Sequence, residues 1–146
     1  LAKYPDQRQL LVNDPQMIAR SLTEILRWFS PVYQMARTAK RDVEVGGTLV
    51  RQGERVAMLY GAGNHDPEVI ADPHRLDLHR EGASRHLTFG YGVHHCLGSR
   101  LALMQLKLIL EAFLGAFPGY ELAGEPSYIR SNLVRAMKAM PIRLNG

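Results

Sequence analysis

The chain has 146 residues, 46% hydrophobic and 22% charged, with a formal net charge of +4 at neutral pH; this balance excludes a disordered segment and fits one globular unit or a piece of a larger one. One cysteine excludes an internal disulfide framework and favours a reducing, cytoplasmic setting. Lys and Arg are scattered rather than blocked, which speaks against nucleic acid and mildly for an acidic partner surface, and the apolar run LALMQLKLIL is broken by Gln105 and Lys107, so no membrane span is expected.

In chain order, Asp14-Pro15 predicts a helix start, with Asp as N-cap and Pro at the first helical position, and Ser30-Pro31 predicts its end. Between them Ile18, Leu22, Ile25, Leu26 and Phe29 form one apolar stripe. Glu24 and Arg27 lie opposite that stripe, three apart, where periodicity alone makes them a solvated ion pair. DVEVGGTLV alternates around Gly46-Gly47 as a tight hairpin does, and Gln52-Gly53 turns the chain again into RVAMLY, giving a small sheet. Residues 61–88 lack a sustained period and read as a long loop with one short helix; such loops usually carry function. From Leu97 to about Gly115 only Arg100, Lys107 and Glu111 interrupt an apolar cylinder, which predicts a helix buried nearly all round in something larger than this chain. The tail, EPSYIRSNLVRAMKAMPIRL, reads as short strands. The start at Leu1 rather than Met suggests a piece of a longer polypeptide.

The sole cysteine sits in FGYGVHHCLG, residues 89–98. A cysteine in the first turn of a helix meets unpaired N–H groups and the positive end of the helix dipole, both of which suit an anionic sulfur, a nucleophile or metal ligand. Gly90, Gly92 and Gly98 clear side chains from the approach, so a flat, bulky group fits against the loop. His94 and His95 adjoin Cys96, but no CxxC or HxxxH completes a zinc set, and adjacent residues rarely share a proton as a Cys-His dyad does. An inert buried thiol is the bland alternative.

FGYGVHHCLG resembles, at every fixed position, the haem-ligand loop FGxGxHxCxG of bacterial cytochromes P450. EILR resembles that family's ExxR helix, SPVYQMAR follows it as expected, NHDPEVIADPHRLD is similar to its NRD and PxxFD meander, and LVRAMKAMPIRL to its closing strands. The resemblance implies an α+β, mainly α chain: the C-terminal part of the cytochrome P450 fold, with ExxR helix, small β-sheets, meander, cysteine loop and long buried helix over residues 1–146. The N-terminal portion, with its distal oxygen-activating helix, is not expected within these residues.

It further implies haem b with iron ligated by Cys96, tempered by the N–H groups of Leu97 and Gly98 and shielded from water by Phe89, with Gly90 also among the cofactor-binding residues of the loop. Arg37 and His94 are expected to meet the haem propionates, although a solvated strand arginine and a plain loop histidine are the alternatives. In the family the pair matching Glu24 and Arg27 is buried and completed by a meander cation, for which Arg75 and Arg80 both qualify. Val32, Tyr33, Gln34 and Met35 pass the family's substrate pocket, with strand packing an equal alternative. His65 stands where the family usually has arginine and is assigned no catalysis; His86 and His95 are read as spectators, Trp28 as packing. The implied activity of the intact protein is insertion of one atom of O₂ into a small apolar or amphipathic molecule, with electrons from a ferredoxin or flavodoxin. The implied setting is cytoplasmic. A truncated, non-catalytic haem-binding relic is the second reading, and a zinc or thiol-redox protein the third.

Overall fold

The computed structural model describes residues 1–145. Helix α1 spans Pro5–Asn13, with Pro at its start and only Leu11 buried. Its segment PDQRQLLVN carries too few apolar positions to display a period, so sequence patterning alone does not reveal it.

Helix α2 runs Met17–Phe29, two residues later than Asp14-Pro15 predicts. Asp14 caps a turn instead. Its Oδ1 accepts the Gln16 N–H at 3.1 Å and its carbonyl accepts the Met17 N–H at 3.0 Å, so the proline lies in the turn ahead of the helix. At the other end Ser30 takes a left-handed conformation, φ 45°, and stops α2 as expected.

Two antiparallel ribbons follow rather than one sheet. Strand β1 (Met35–Thr38) pairs with β4 (Arg55–Met58), while β2 (Val43–Val45) and β3 (Thr48–Val50) form a separate hairpin between them. Gly46 and Gly47 both have positive φ, +56° and +77°, as a two-residue turn of this hand requires. The Gln52-Gly53 turn does not extend the hairpin, because Gly53 donates to the Ala39 carbonyl and Ala39 to the Glu54 carbonyl, which lays β4 on β1.

The long segment after β4 holds one helical turn, α3 (Tyr60–Gly63), and a 3₁₀ turn at Ala83–Arg85. Helix α4 spans Ser99–Ala116. In the tail β5 (Gly119–Leu122) pairs with β8 (Ile142–Asn145), and β6 (Ser127–Tyr128) with β7 (Met137–Ala139).

Leu11, Met17, Ile18, Leu22, Leu76, Leu78, Leu114 and Tyr120 make the core, drawn from α1, α2, the meander, α4 and β5. Each such side chain contributes about 1.5–3 kcal/mol by leaving water. Helix α4 departs from the expected all-round burial: Leu103, Leu106, Leu110 and Phe113 face the core, but Leu101, Met104, Leu108 and Ile109 are each more than half exposed. The reason is partner supply, since α1 and α2 wall only one side of it. Among the described residues no helix is long and apolar enough to cross a membrane.

Candidate functional site: the cysteine loop and its brace

The loop that presents Cys96 is built from backbone hydrogen bonds. The Phe89 carbonyl accepts the Cys96 N–H at 2.8 Å, the Leu87 carbonyl accepts the Gly90 N–H at 2.8 Å, and the Gly92 carbonyl accepts the His95 N–H at 3.0 Å. Gly90 is required here: φ is +72°, and a Cβ would sit 3.3 Å from the His94 carbonyl oxygen. A Cβ at Gly98 would lie 4.0 Å from the Cys96 sulfur. The cysteine lies ahead of the helix rather than in its first turn, because Gly98 is the N-cap of α4 and the Cys96 carbonyl accepts the Ser99 N–H at 3.2 Å.

Cys96 opens onto a cavity of about 530 Å³, within the range of small-molecule sites. Its walls bring together Val32, Met35, Arg37, Phe89, Gly90 and His94, residues that sequence reasoning nominated from two separate segments, with Tyr60 and Thr88 added. Tyr33 and Gln34 fall elsewhere. They line a second pocket beside Phe29, His65 and Arg135, because the chain turns Val32 and Met35 toward the cysteine and carries the two residues between them to its other side. Leu97 projects fully into solvent. Arg37 is exposed on β1, with Nη1 donating to the Ala36 carbonyl at 3.0 Å.

Cys96 is exposed and lines the cavity, and the Phe89 ring packs between His86 and His95, with centroids 5.5 and 6.1 Å away. His86 has a structural place beside the loop. Its Nδ1 accepts the Thr88 N–H at 3.1 Å, and burial, followed by the nearby His95 charge, pushes its pKa below the ordinary 6.5.

Behind the loop, Glu24 and Arg27 are fully buried, contrary to what helical periodicity alone suggests. The meander folds over the polar face of α2 and covers it. Arg27 donates from Nε and Nη2 to the two carboxylate oxygens at 2.6 and 2.8 Å, and from Nη1 to the Asn64 and Pro73 carbonyls at 2.8 and 3.0 Å. Arg80 is the third member, its Nε donating to Glu24 Oε1 at 3.1 Å. Arg75 supplies only its carbonyl, to Arg80 at 2.8 Å and to Arg27 at 3.3 Å. Thus every charge in the cluster is both paired and hydrogen-bonded, as burial demands.

Sequence reasoning missed Ser30, Asn64 and Thr88 as a buried polar cluster between this brace and the loop. Small polar residues in turns leave no periodic trace, so the only available signal was the place of Asn64 at the head of NHDPEVIADPHRLD. His65 donates from Nδ1 to the Gly61 carbonyl at 3.0 Å, and its ring packs against Trp28 and stacks on His74. Imidazole thus occupies this place by stacking, without need of a permanent cation.

Among the described residues no three His, Cys, Asp or Glu side chains gather to hold a metal ion. A glycine-lined loop beside an open cavity suits a broad, flat group. Fold and site together define an α+β protein that presents one cysteine at the mouth of a glycine-lined cavity.

Residues 11–127 match the family model "Cytochrome P450", and the chain belongs to that family. It is 38% identical over 143 residues to cytochrome P450-terp of a Pseudomonas species, covering 98% of this chain and 33% of the relative. It is 37% identical over 144 residues to linalool 8-monooxygenase of Pseudomonas putida, covering 99% and 35%. The structure superposes on cytochrome P450-153 from Novosphingobium aromaticivorans with a TM-score of 0.93 at 37% identity, covering 99% of this chain and 37% of that one. The chain spans about a third of the length of these relatives and matches the C-terminal portion of their fold.

Proposed function

We propose that this chain forms the proximal part of a haem-thiolate monooxygenase that inserts one oxygen atom of O₂ into a small apolar or amphipathic substrate. The observation that carries this reading is Cys96 opening onto a cavity walled by Arg37, His94, Val32 and Met35, in a chain of a family that uses cysteine-ligated haem b. When bound, haem supplies oxygen binding and activation, and a thiolate ligand favours O–O cleavage.

The chain's own residues set the conditions for that chemistry. Cys96 would provide the sulfur that holds the haem iron, with its own N–H bonded to the Phe89 carbonyl at 2.8 Å. Arg37 and His94, on the cavity wall, are placed to meet carboxylate propionates, whose burial requires cationic or hydrogen-bonding partners. Gly90 and Gly98 keep the approach clear of side chains. Leu97 and Gly98 are the residues whose amide hydrogens would temper the sulfur. Val32 and Met35 give the substrate side an apolar lining, which accords with relatives named for linalool and 6-deoxyerythronolide B. Tyr33 and Gln34 are not assigned to it.

Electrons are proposed to come from a ferredoxin or flavodoxin of acidic surface, matched to a chain of formal charge +4, in the cytoplasm. The test is the absorption spectrum of the reduced, carbon-monoxide-bound protein. A Soret band at the red-shifted position of thiolate ligation is expected, and Cys96→Ser should abolish it. Retention of that band and of hydroxylation by Cys96→Ser rejects the assignment.

A further inference from the structure

We propose that Asn64 is the positioning residue that sets the cysteine loop on the end of α2, with Thr88 as its hydroxyl partner; the proposal rests on Cys96 being the haem ligand. Asn64, Ser30 and Thr88 are 1%, 4% and 6% exposed, so each polar atom among them must find a protein partner. The Ser30 hydroxyl donates to the Arg27 carbonyl at 2.7 Å, and the Thr88 hydroxyl to the Leu26 carbonyl at 2.8 Å. Both hydroxyl protons are thereby committed to the C-terminal carbonyls of α2. Only lone pairs remain, and the two hydrogens of Asn64 Nδ2 fill them, at 2.8 Å to Ser30 and 3.1 Å to Thr88.

On its other side Asn64 Oδ1 accepts the Leu87 N–H at 2.6 Å, a group able only to donate. The amide therefore has one workable orientation. Two donors and an acceptor are demanded at fixed places, a set that a carboxylate of the same shape cannot supply. Asn64 also accepts Arg27 Nη1 on its backbone carbonyl at 2.8 Å. It thus ties the Glu24–Arg27 brace to Leu87 and Thr88, and the next residue, Phe89, holds the Cys96 N–H. A site must be held to within about 0.5 Å to keep productive geometry, and the Asn64 side chain bonds both the residue that caps α2 and the backbone leading into the loop.

The test uses the haem-loaded protein and three variants: Asn64→Asp, Thr88→Val and Thr88→Ser. The readouts are the carbon-monoxide Soret band, the haem reduction potential and the rate of haem loss. Asn64→Asp and Thr88→Val should lose most of the thiolate-type band, shift the potential and release haem about 10- to 100-fold faster, the range seen when supporting partners of metal ligands are removed. Thr88→Ser, which keeps the hydroxyl, should restore all three. If Asn64→Asp does not reach the native fold by circular dichroism, the Thr88→Val and Thr88→Ser pair decides. A Thr88→Val protein that is merely less stable, with band, potential and haem loss unchanged, overturns the proposal. An unsubstituted protein without the thiolate band overturns the haem-thiolate reading as well, which separates the two failures.

Discussion

Glu24 and Arg27 meet fork to fork inside the protein, with Nε–Oε2 and Nη2–Oε1 distances of 2.6 and 2.8 Å and side-chain exposures of 1% and 0%. Arg80 approaches the same carboxylate from the meander at 3.1 Å. Burying these charges is costly in itself, and the cluster holds only because each member keeps its partners. Its contribution is to fix one arrangement of the meander over α2.

Replacing Glu24 with Gln leaves two guanidinium groups facing a neutral amide in a dry site. The expected loss is about 3–5 kcal/mol, as for breaking one side of a buried pair, read as a lower midpoint in urea unfolding. A loss below about 1 kcal/mol would match a solvated surface pair instead and contradict the burial described above.

Gly90 and Gly115 should respond to alanine with opposite signs. At Gly90 the left-handed backbone and the His94 carbonyl 3.3 Å from the new Cβ predict a loss of about 1–2 kcal/mol. Gly115 is helical with open space around it, so Gly115→Ala should gain about 0.5–1 kcal/mol. Thermal melts of the two variants against the parent settle the signs.

His86 predicts an acid-side weakness. Above pH 6.5 it is neutral both folded and unfolded and adds no pH dependence. As pH falls through 6.5 the unfolded chain takes up a proton that the folded chain refuses, because burial and the His95 charge lower its pKa; stability therefore drops, and levels off below the lowered value. Protonation would also set Nδ1 against the Thr88 N–H that it now accepts. Denaturation midpoints across this range should slope less in His86→Gln than in the parent, and equal slopes would remove His86 from the account.

Leu114 and Leu108 sit on the same helix with exposures of 4% and 55%. In this 146-residue chain Leu114→Ala should cost about 2–5 kcal/mol through the cavity it leaves, and Leu108→Ala should stay within about 0.5 kcal/mol. Comparable costs at both positions would mean that the outer face of α4 is packed after all.

Local chemistry was legible in the residue string wherever the deciding atoms are near neighbours. The Gly46-Gly47 hairpin, the stop of α2 at Ser30, the long helix after Cys96 and the glycines around the thiol all follow from backbone preferences acting over a few residues. Period 3.6 likewise placed Ile18, Leu22 and Leu26 inward.

What the string left open depends on partners far along the chain. Whether Glu24 and Arg27 are wet or dry is decided by a meander some 50 residues later, and the choice of Arg80 over Arg75 by which side chain can reach Glu24 once Pro73 and Asn64 have given their carbonyls to Arg27. The same holds for Val32 and Met35 facing the cysteine while Tyr33 and Gln34 do not, and for the committed protons around Asn64. Burial and hydrogen-bond exchange are properties of surfaces brought together, and only the folded chain determines which surfaces meet.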